Sequence, residues 1–422
     1  MVKLVNKFFF SGKPESVPTR KILYTVLILA LFRFGNTIPL SGMDQEAFKR
    51  SFLAMDNKNS IMQIINMYSG GAGNTLLSPF SLGIIPYINA SILVDLLTAL
   101  FPALEKLQSE EGEAGRRKLV FYKKILSFLF AMIQSGFLLF YLKSYFYKND
   151  FFTFGIIGLE LVTGSMIIIW LTNLLDNKGI GNGTSLIIFT NIVVTLLSKN
   201  IFQGIQGDPF FVFEMVFLCL FIGLICLAQL ARMNIEVVSA RQLAFLENNK
   251  KTKRDMPLEM TLQLRESGLS IRLNQAGIFP IIIASNLLPF FSFLTANLGE
   301  STKWINSLFY YCSIVGFNYF YTIVFWDPEK ISEQLRKASV SIVNVTPGKE
   351  TISYLENVVR STSFIGGILL CLILLLYDLT KQFFNAYLLN QINISSLIIL
   401  VGVAYEIQKT VRSLFNNILA AE

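Results

Sequence analysis

Five ionisable side chains fall within long apolar stretches of the chain, where an isolated charge is unfavourable and therefore indicates function. They are Arg33, Asp95, Glu160, Glu214 and Glu406. At membrane depth a carboxylate can bind a cation or carry a proton, whereas an arginine can also pair two helices or extend to the membrane surface. Glu214 and Glu406 lie near the ends of their stretches, within reach of water. Asp95 is the stronger candidate, because Asn89 and Ser91 place further polar groups on the same predicted helix.

The residues needed for enzymatic catalysis are missing from the sequence. There is no histidine, which excludes Ser–His and Cys–His nucleophile pairs and an H-E-x-x-H zinc site. No G-x-x-x-x-G-K-[ST] phosphate loop occurs either. The four cysteines lie in apolar stretches without C-x-x-C spacing, which favours packing over disulfide or metal roles. We predict that the protein is not an enzyme and has no cofactor or metal site.

The composition indicates the kind of protein that must position these residues. Of 422 residues, 53% are hydrophobic and only 15% are charged, whereas charged residues make up about 25% of soluble domains. Apolar stretches of bilayer length, roughly 20 residues, predict ten spans: 21–40, 80–101, 123–143, 154–175, 184–199, 210–230, 274–294, 305–326, 362–379 and 393–408. The fold class is therefore an all-α, polytopic membrane protein with ten transmembrane helices.

Lysine and arginine are distributed unevenly between the connections. Basic clusters at 116–124 and 250–254 lie in even-numbered connections, and further basic residues lie near the N-terminus. The opposite loops carry only scattered basic residues. Because positive charge stays on the side of synthesis, both termini are expected on the cytosolic or stromal side. The net charge of +8 is better explained by this bias than by nucleic-acid binding.

The start of the chain favours insertion without cleavage. Residues 1–20 are polar, and the first apolar run is long enough to stay in the membrane, so we expect no cleavable signal. Two connections on the side of the termini, 231–273 and 327–360, are far longer than a turn, with Pro347 and Gly348 marking a turn in the second. Connections of this length favour docking surfaces over solvated linkers.

A short amphipathic segment precedes the second span. Its apolar face is formed by Ile61, Ile64, Ile65 and Tyr68. It is followed by Gly70, Gly71 and Gly73. The segment is too short to cross a bilayer, and the glycines free the backbone behind it. This predicts a small movable element beside a spanning helix. A second glycine cluster, within 179–183, is better explained by a tight membrane hairpin than by phosphate binding.

Several stretches of the chain resemble the SecY family of protein-translocation channels. They are FRFGNTIPLSGMD at 32–44, INMYSGGA at 65–72, LGIIPYINASI at 82–92, EGEAGRRK at 111–118, LVTGSMIIIWL at 161–171, GIGNGTSLIIF at 179–189, RLNQAGIFPIIIAS at 272–285, DPEK and PGKET. The match extends in order from about residue 20 to residue 415. LNQAGIFPII and SLIILVGVA are similar to cyanobacterial and plastid members. A plastid thylakoid membrane is therefore the expected location, with a bacterial plasma membrane as the alternative.

The resemblance implies two inverted halves of five helices, here 21–199 and 210–408, with 1–20 and 409–422 as terminal segments. It implies a plug at about 60–72, comprising Ile61, Ile64, Ile65, Met67 and Tyr68, with a hinge at Gly70, Gly71 and Gly73. An apolar pore ring would consist of Ile84, Ile88, Thr184, Ile188, Ile282 and Ile399. Such a ring seals by dewetting and by fitting around an extended chain. A lateral gate between the second and seventh spans would include Asn89, Asp95 and Asn274.

The resemblance also implies docking partners. Motor or ribosome contacts would involve Arg241, Lys250, Lys251, Arg254, Thr346 and Lys349. The sequence departs from the family at Thr346, where a basic residue is usual, and at Met233 and Asn234, where an arginine pair is usual. Expected partners are a SecE-type subunit, a SecG-type subunit if one is present, the SecA motor ATPase, the ribosome, preprotein substrates and membrane lipid.

Two functions from different classes therefore remain. The first is the central pore subunit of the Sec translocase, which passes unfolded preproteins across the membrane and releases transmembrane segments sideways into lipid. The second is an ion-coupled secondary transporter that uses Asp95 or Glu160. A transporter would show saturable flux of a small solute driven by an ion gradient, whereas a preprotein would jam a channel.

Overall fold

The computed structural model describes residues 16–54, 77–109, 112–148, 150–198, 211–239, 269–295, 302–343, 345–384, 392 and 394–419. In chain order, the α-helices of these ranges are α1 (Ser16–Gly35), α2 (Gln45–Ala54), α3 (Ile85–Leu100), α4 (Pro102–Ser109), α5 (Gly112–Leu142), α6 (Phe151–Lys178), α7 (Gly183–Ser198), α8 (Phe211–Leu230), α9 (Phe279–Thr295), α10 (Thr302–Phe325), α11 (Pro328–Lys337), α12 (Lys349–Phe384) and α13 (Ile394–Leu419). Each predicted span coincides with a helix: α1, α3, α5, α6, α7, α8, α9, α10, α12 and α13.

Seven helices of the described residues are long and apolar enough to cross a membrane. These spans fall in α3, α5, α6, α8, α10, α12 and α13. The other three helices that coincide with predicted spans are shorter or less apolar. The apolar part of α7, Gly183–Val194, is shorter, and α9 has only 17 residues. Helix α1 contains Arg20, Lys21 and Arg33, which lower its apolar character.

Two helices extend beyond the apolar stretches that predict them. Helix α5 begins at Gly112 and α12 at Lys349, although their predicted spans begin at 123 and 362. In the extension of α5, Arg117 pairs with Glu113 at 2.7 Å, at the (i, i+4) spacing of neighbouring helical turns. The stretch 327–360 is thus more ordered than the long loop that the sequence predicts, since α11, a short strand and the start of α12 occupy it.

Four short strands, β1 (Arg232–Ile235), β2 (Val237–Ser239), β3 (Leu269–Arg272) and β4 (Val340–Ile342), join the two long connections. Strands β1 and β3 pair antiparallel, as do β2 and β4. A small apolar core consists of Ile235, Ile271, Ile342, Leu355 and Val358. The start of α11 is capped by Asp327, whose carboxylate accepts hydrogen bonds from the backbone N–H groups of Glu329 and Lys330. The described parts of the two connections therefore form a packed substructure.

The chain divides into two compact units. The first comprises Met1–Asp208 and Ile399–Glu422, and the second comprises Pro209–Ile398. Helix α13 begins in the second unit and ends in the first. In the first unit, a cluster of buried apolar residues from α2, α5, α6 and the segments beside them forms a core, which includes Leu40, Leu77, Leu82, Leu138 and Leu161.

At two glycines, a helix packs directly against the backbone of another segment. In the first unit, a Cβ at Gly164 of α6 would lie 2.1 Å from the carbonyl oxygen of Pro79. In the second unit, a Cβ at Gly366 of α12 would lie 2.1 Å from the carbonyl oxygen of Leu273. Any side chain would therefore force the packed backbone segments apart. Pro79–Leu82 is a turn of 3-10 helix that leads into α3, and Leu273 precedes Asn274.

Candidate functional site

The predicted ring residues Ile84 and Ile88 lie at the start of α3. Ile84 caps the helix and Ile88 is one turn along, so both are on one helix face. Their side chains are buried. The turn before them is held by Ser165 of α6, whose hydroxyl donates to the carbonyl of Gly83 at 3.3 Å. Gly83 has a φ of 60°, which favours glycine. The sequence LGIIPY therefore folds into a defined turn that directs the first two ring residues.

Thr184 and Ile188 lie in the first two turns of α7, and both are half-buried. Four residues, 179–182, connect α6 to α7 and form the predicted hairpin. Asp176 accepts the backbone N–H of Gly183 at 2.7 Å. The hydroxyl of Thr25 accepts the backbone N–H of Ile180 at 3.1 Å. These side chains satisfy donors that the tight turn leaves without helical partners.

A side-chain hydrogen bond joins α7 to α13 within the first unit. The Ser185 hydroxyl donates to Glu406 Oε2 at 3.0 Å. Ser185 lies between Thr184 and Ile188, and Glu406 follows Ile399 by seven residues, which is close to two helical turns. The bond therefore connects two helices that each carry predicted ring residues. Sequence reasoning missed Ser185, although its position beside Thr184 was a usable signal.

Ile282 is half-buried on α9 and belongs to the second unit. Ile399 is half-buried on α13, where the first unit resumes. The assembly of all six residues into one ring stays a prediction.

The predicted gate residues have different surroundings. Asn89 and Asp95 both lie on α3, but six residues of helix rotate them about 120° apart, so they do not share a face. Asn274 is 4% exposed, and its amide donates to the carbonyl of Gly277 at 2.9 Å. Within the described part of the chain, Asn274 Oδ1 is buried without a hydrogen-bond partner. This unsatisfied acceptor fits a segment whose hydrogen bonds change during function.

The intramembrane carboxylates that could serve ion coupling have protein partners. Asp95 Oδ1 lies 2.8 Å from Lys123 Nζ. Glu160 accepts hydrogen bonds from both the hydroxyl and the backbone N–H of Ser41. Glu214 is buried on α8. Asp95 therefore links α3 to α5, and Glu160 links α6 to the segment between α1 and α2.

A fifth carboxylate within a predicted span, Asp378, lies in the second unit and was missed by sequence reasoning. Asp378 of α12 accepts a hydrogen bond of 2.6 Å from the Tyr311 hydroxyl of α10. Beside it, the hydroxyls of Tyr310 and Ser395 lie 2.7 Å apart. Asp378 falls inside the predicted span 362–379, so its position should have marked it. These bonds connect α10 to α12 and to the start of α13.

The predicted docking residues are only partly described. Thr346 and Lys349 are exposed at the start of α12, and the Thr346 hydroxyl donates to Glu350 Oε2 at 2.7 Å. Pro347 and Gly348 form the predicted turn, in which Gly348 has a φ of 116°. Arg241, Lys250, Lys251 and Arg254 lie outside the described residues. So do the predicted plug, Ile61, Ile64, Ile65, Met67 and Tyr68, and its hinge, Gly70, Gly71 and Gly73.

Comparison with known proteins gives consistent matches over most of the chain. The family model described as SecY matches residues 78–408. The protein translocase subunit SecY of Pyropia yezoensis is 35% identical over 411 residues, which cover 93% of this chain and 95% of that protein. The SecY subunit of a Synechocystis species is 35% identical over 425 residues, covering 93% of this chain and 91% of that protein.

The fold is similar to that of solved channels. Sec61 in the canine ribosome-channel complex from the endoplasmic reticulum aligns with a TM-score of 0.61 at 14% identity. The alignment covers 96% of this chain and 94% of Sec61. The fold prediction, an all-α polytopic membrane protein with the ten-helix channel fold, is confirmed by this similarity; the predicted plug residues lie outside the described part of the chain.

Proposed function

The chain belongs to the SecY family of protein-conducting channel subunits, and we propose that it forms the central pore of a Sec translocase in a plastid thylakoid membrane. It is a multi-pass membrane protein and not an enzyme. The thylakoid location is supported by the similarity to the Synechocystis subunit and by the stretches LNQAGIFPII and SLIILVGVA. The bias of lysine and arginine supports termini on the stromal side.

The pore ring is the part of this proposal that the geometry supports best. The carrying observation is the Ser185–Glu406 bond, because it ties together α7 and α13, which carry Thr184, Ile188 and Ile399. Ile84 and Ile88 add two apolar residues on one face of α3 in the same unit. Apolar side chains at such a constriction exclude water at rest and tolerate an extended chain of any sequence.

Disulfide crosslinking of an arrested preprotein tests the ring. With the native cysteines replaced by serine, Ile88→Cys and Ile188→Cys are each expected to crosslink to a cysteine in the arrested chain. Leu159→Cys serves as the control, because Leu159 is 62% exposed on α6 and is expected to face lipid. Crosslinking at Leu159 as strong as at Ile88 and Ile188 would refute the ring assignment.

The plug, its hinge and the lateral gate extend the proposal. In it, residues 60–72 close the pore at rest, and Gly70, Gly71 and Gly73 let them move aside. Asn89, Asp95 and Asn274 contribute to a polar seam through which transmembrane segments pass into lipid. The buried, unsatisfied Oδ1 of Asn274 supports this, since a seam that opens requires hydrogen bonds that can change.

Partners are proposed from the family and from the exposed basic residues. A SecE-type subunit, a SecG-type subunit, the SecA motor and the ribosome are the expected ones. The ribosome is supported by the ribosome-bound state of the similar Sec61 structure, and Lys349 is exposed at a turn that suits docking. Co-purification in mild detergent followed by mass spectrometry tests the set, and recovery of the chain without any small subunit would contradict the SecE proposal.

A transporter function is not supported. Asp95 and Glu160, the residues that ion coupling would need, are engaged by Lys123 and Ser41. The family match is to a translocase subunit over 78–408. No ion-coupled solute flux is therefore expected from the purified protein.

A further inference from the structure

An ion pair joins α3 to α5 within the first unit. Lys123 Nζ lies 2.8 Å from Asp95 Oδ1, and the two side chains are 19% and 28% exposed. The Ser91 hydroxyl donates to the other carboxylate oxygen of Asp95 at 3.3 Å. Both oxygens of Asp95 therefore have donors, one on its own helix and one on the neighbouring helix.

The ion pair lies in apolar surroundings, where water cannot readily solvate either charge if its partner is lost. Asp95 lies within the apolar span Pro79–Thr98, and the adjacent Val94 is buried. Removing one partner leaves the other charge partly desolvated and without compensation, which destabilises the contact between the helices more than loss of a surface pair. Helices α3 and α5 also pack against each other directly. The ion pair thus adds a directional contact to an apolar interface that by itself permits sliding and rotation.

Helical geometry relates the pair to the proposed ring. Asp95 follows Ile88 by seven residues, a rotation that differs from two full turns by about 20° and a rise of about 10 Å. Ile84, the residue that caps α3, therefore lies along the same helix face as Ile88 and Asp95. Fixing the direction of Asp95 fixes the direction of the two isoleucines, because an α-helix of this length transmits rotation along its axis.

We infer that the Asp95–Lys123 pair is a clamp that sets the rotation of α3 against α5, so that the two helices move as one body when the channel opens. At rest the clamp keeps Ile84 and Ile88 directed into the constriction. Asp95 is then a positioning residue, and Lys123 is its necessary partner. The inference rests on the proposed function, since the ring is what the clamp positions.

The experiment uses the full chain, purified with its co-purifying subunits and reconstituted into liposomes. The variants are Asp95→Asn, Lys123→Met and the charge swap that combines Asp95→Lys with Lys123→Asp. Lys124→Met is the matched control, because Lys124 is the next residue of α5 and forms no ion pair among the residues that the structure describes. Resting ion conductance is expected to rise by about tenfold in each single variant, a shift of one decade in the open population. It should return to within about twofold of the wild type in the swap.

A spectroscopic measurement reports the clamp directly. Spin labels at Leu100→Cys on α3 and Phe121→Cys on α5, two exposed positions, give the distance between the helices in a background without native cysteines. The distance distribution is expected to broaden in Asp95→Asn and Lys123→Met, to narrow again in the swap, and to be unchanged in Lys124→Met. Asp95→Asn preserves shape and size, so this variant tests the pair even where a larger change prevents folding.

Three outcomes would overturn the inference. They are unchanged conductance and distances in both single variants, equal leak in Lys124→Met, and a swap that leaks as much as the single variants. Failure of the proposed function is distinguished by the wild type. If the wild-type channel passes no preprotein under conditions that support its partners, the translocase proposal fails, whatever the variants show.

Discussion

Thr184 is the one predicted ring residue with a hydroxyl, and it lies in the first turn of α7. Mid-helix threonines satisfy their hydroxyl at the carbonyl four residues earlier, as Thr190 does with Leu186 at 2.8 Å. The corresponding residue for Thr184 is Ile180, which precedes the helix. In the proposed constriction, the hydroxyl would therefore be available to hold water.

Thr184→Ile is expected to reduce the resting ion leak by up to roughly tenfold, because burying a hydroxyl costs about 0.5–2 kcal/mol and about 1.4 kcal/mol changes a population tenfold. Flux through reconstituted channels lacking the plug gives the clearest measurement. Thr190→Ile is the control, since its hydroxyl is already satisfied within α7. Equal leak with threonine and isoleucine at 184 would show that this residue does not set the seal.

Ser185→Ala removes the bond between α7 and α13. A hydrogen bond to a charged acceptor contributes about 1.5–3 kcal/mol, so thermal unfolding in detergent is expected at a lower temperature and the resting leak should increase. Ser413→Ala is the control, because the Ser413 hydroxyl is exposed and donates only to its own helix, at the carbonyl of Thr410. The same melting temperature for the two variants would mean that the Ser185–Glu406 bond does not join these helices in the membrane.

At the scale of elements, the structure depends on close contacts between helices and the segments that lead into them. Helix α6 passes the turn Pro79–Leu82 with no room for a side chain at Gly164, and α12 passes Leu273 in the same way at Gly366. These contacts position the start of α3 and the segment with Asn274. Glycine in a spanning helix here reflects packing rather than flexibility.

Gly164→Ala is expected to destabilise the protein by about 1–3 kcal/mol, the usual effect of overpacking, because its Cβ would meet the Pro79 carbonyl, a backbone atom. Gly155→Ala in the same helix meets nothing within 4 Å and should be neutral or stabilising, since alanine favours helix by about 1 kcal/mol over glycine. Chemical or thermal unfolding of the purified protein compares them. A smaller loss of stability for Gly164→Ala than for Gly155→Ala would contradict this packing.

Deletion of residues 60–70 tests the plug. We expect a higher resting ion leak with largely intact translocation, because the ring and the gate remain. Single-channel recording measures the leak, and transport of a preprotein into liposomes measures translocation. A deletion variant that stays closed at rest would remove the plug assignment.

At the scale of the whole molecule, the basic clusters of the long connections lie on the side that we propose recruits partners. The described part of this side is a packed substructure, in which β1 pairs with β3 and β2 with β4 beside α11. It gives the described parts of the long connections a defined shape around the core of Ile235, Ile271 and Ile342. A shaped, basic surface binds a large partner with less loss of conformational entropy than a free loop.

Reversing the charge of Lys250, Lys251 and Arg254 to glutamate is expected to weaken motor or ribosome association in a salt-dependent manner, each exposed charge contributing about 0.2–1 kcal/mol. Binding assays at low and high salt measure the effect. Lys148→Glu, on the predicted opposite side, should leave affinity unchanged. If affinity at low salt is unaffected by the triple reversal, docking depends on the 327–360 stretch instead.

The sequence by itself determined the class of this protein, the positions of its spans and its family. These follow from properties that do not require contacts: a run of apolar residues must lie in a membrane, basic residues stay on one side, and the order of motifs such as GIGNGTSLIIF identifies a lineage. Even α7 and α9, with weak hydropathy signals, were located within one to five residues at their N-terminal ends.

Only the tertiary structure decided which side chains meet. Asp95, taken from the sequence as a gate or ion-coupling residue, pairs with Lys123, and Glu406 accepts a bond from Ser185, 221 positions away. The strands of the long connections pair across large separations as well, β2 with β4 for example. Such partners depend on the rotation and height of each helix against its neighbours. That geometry arises from packing of the whole unit, and periodicity within one segment carries no information about it.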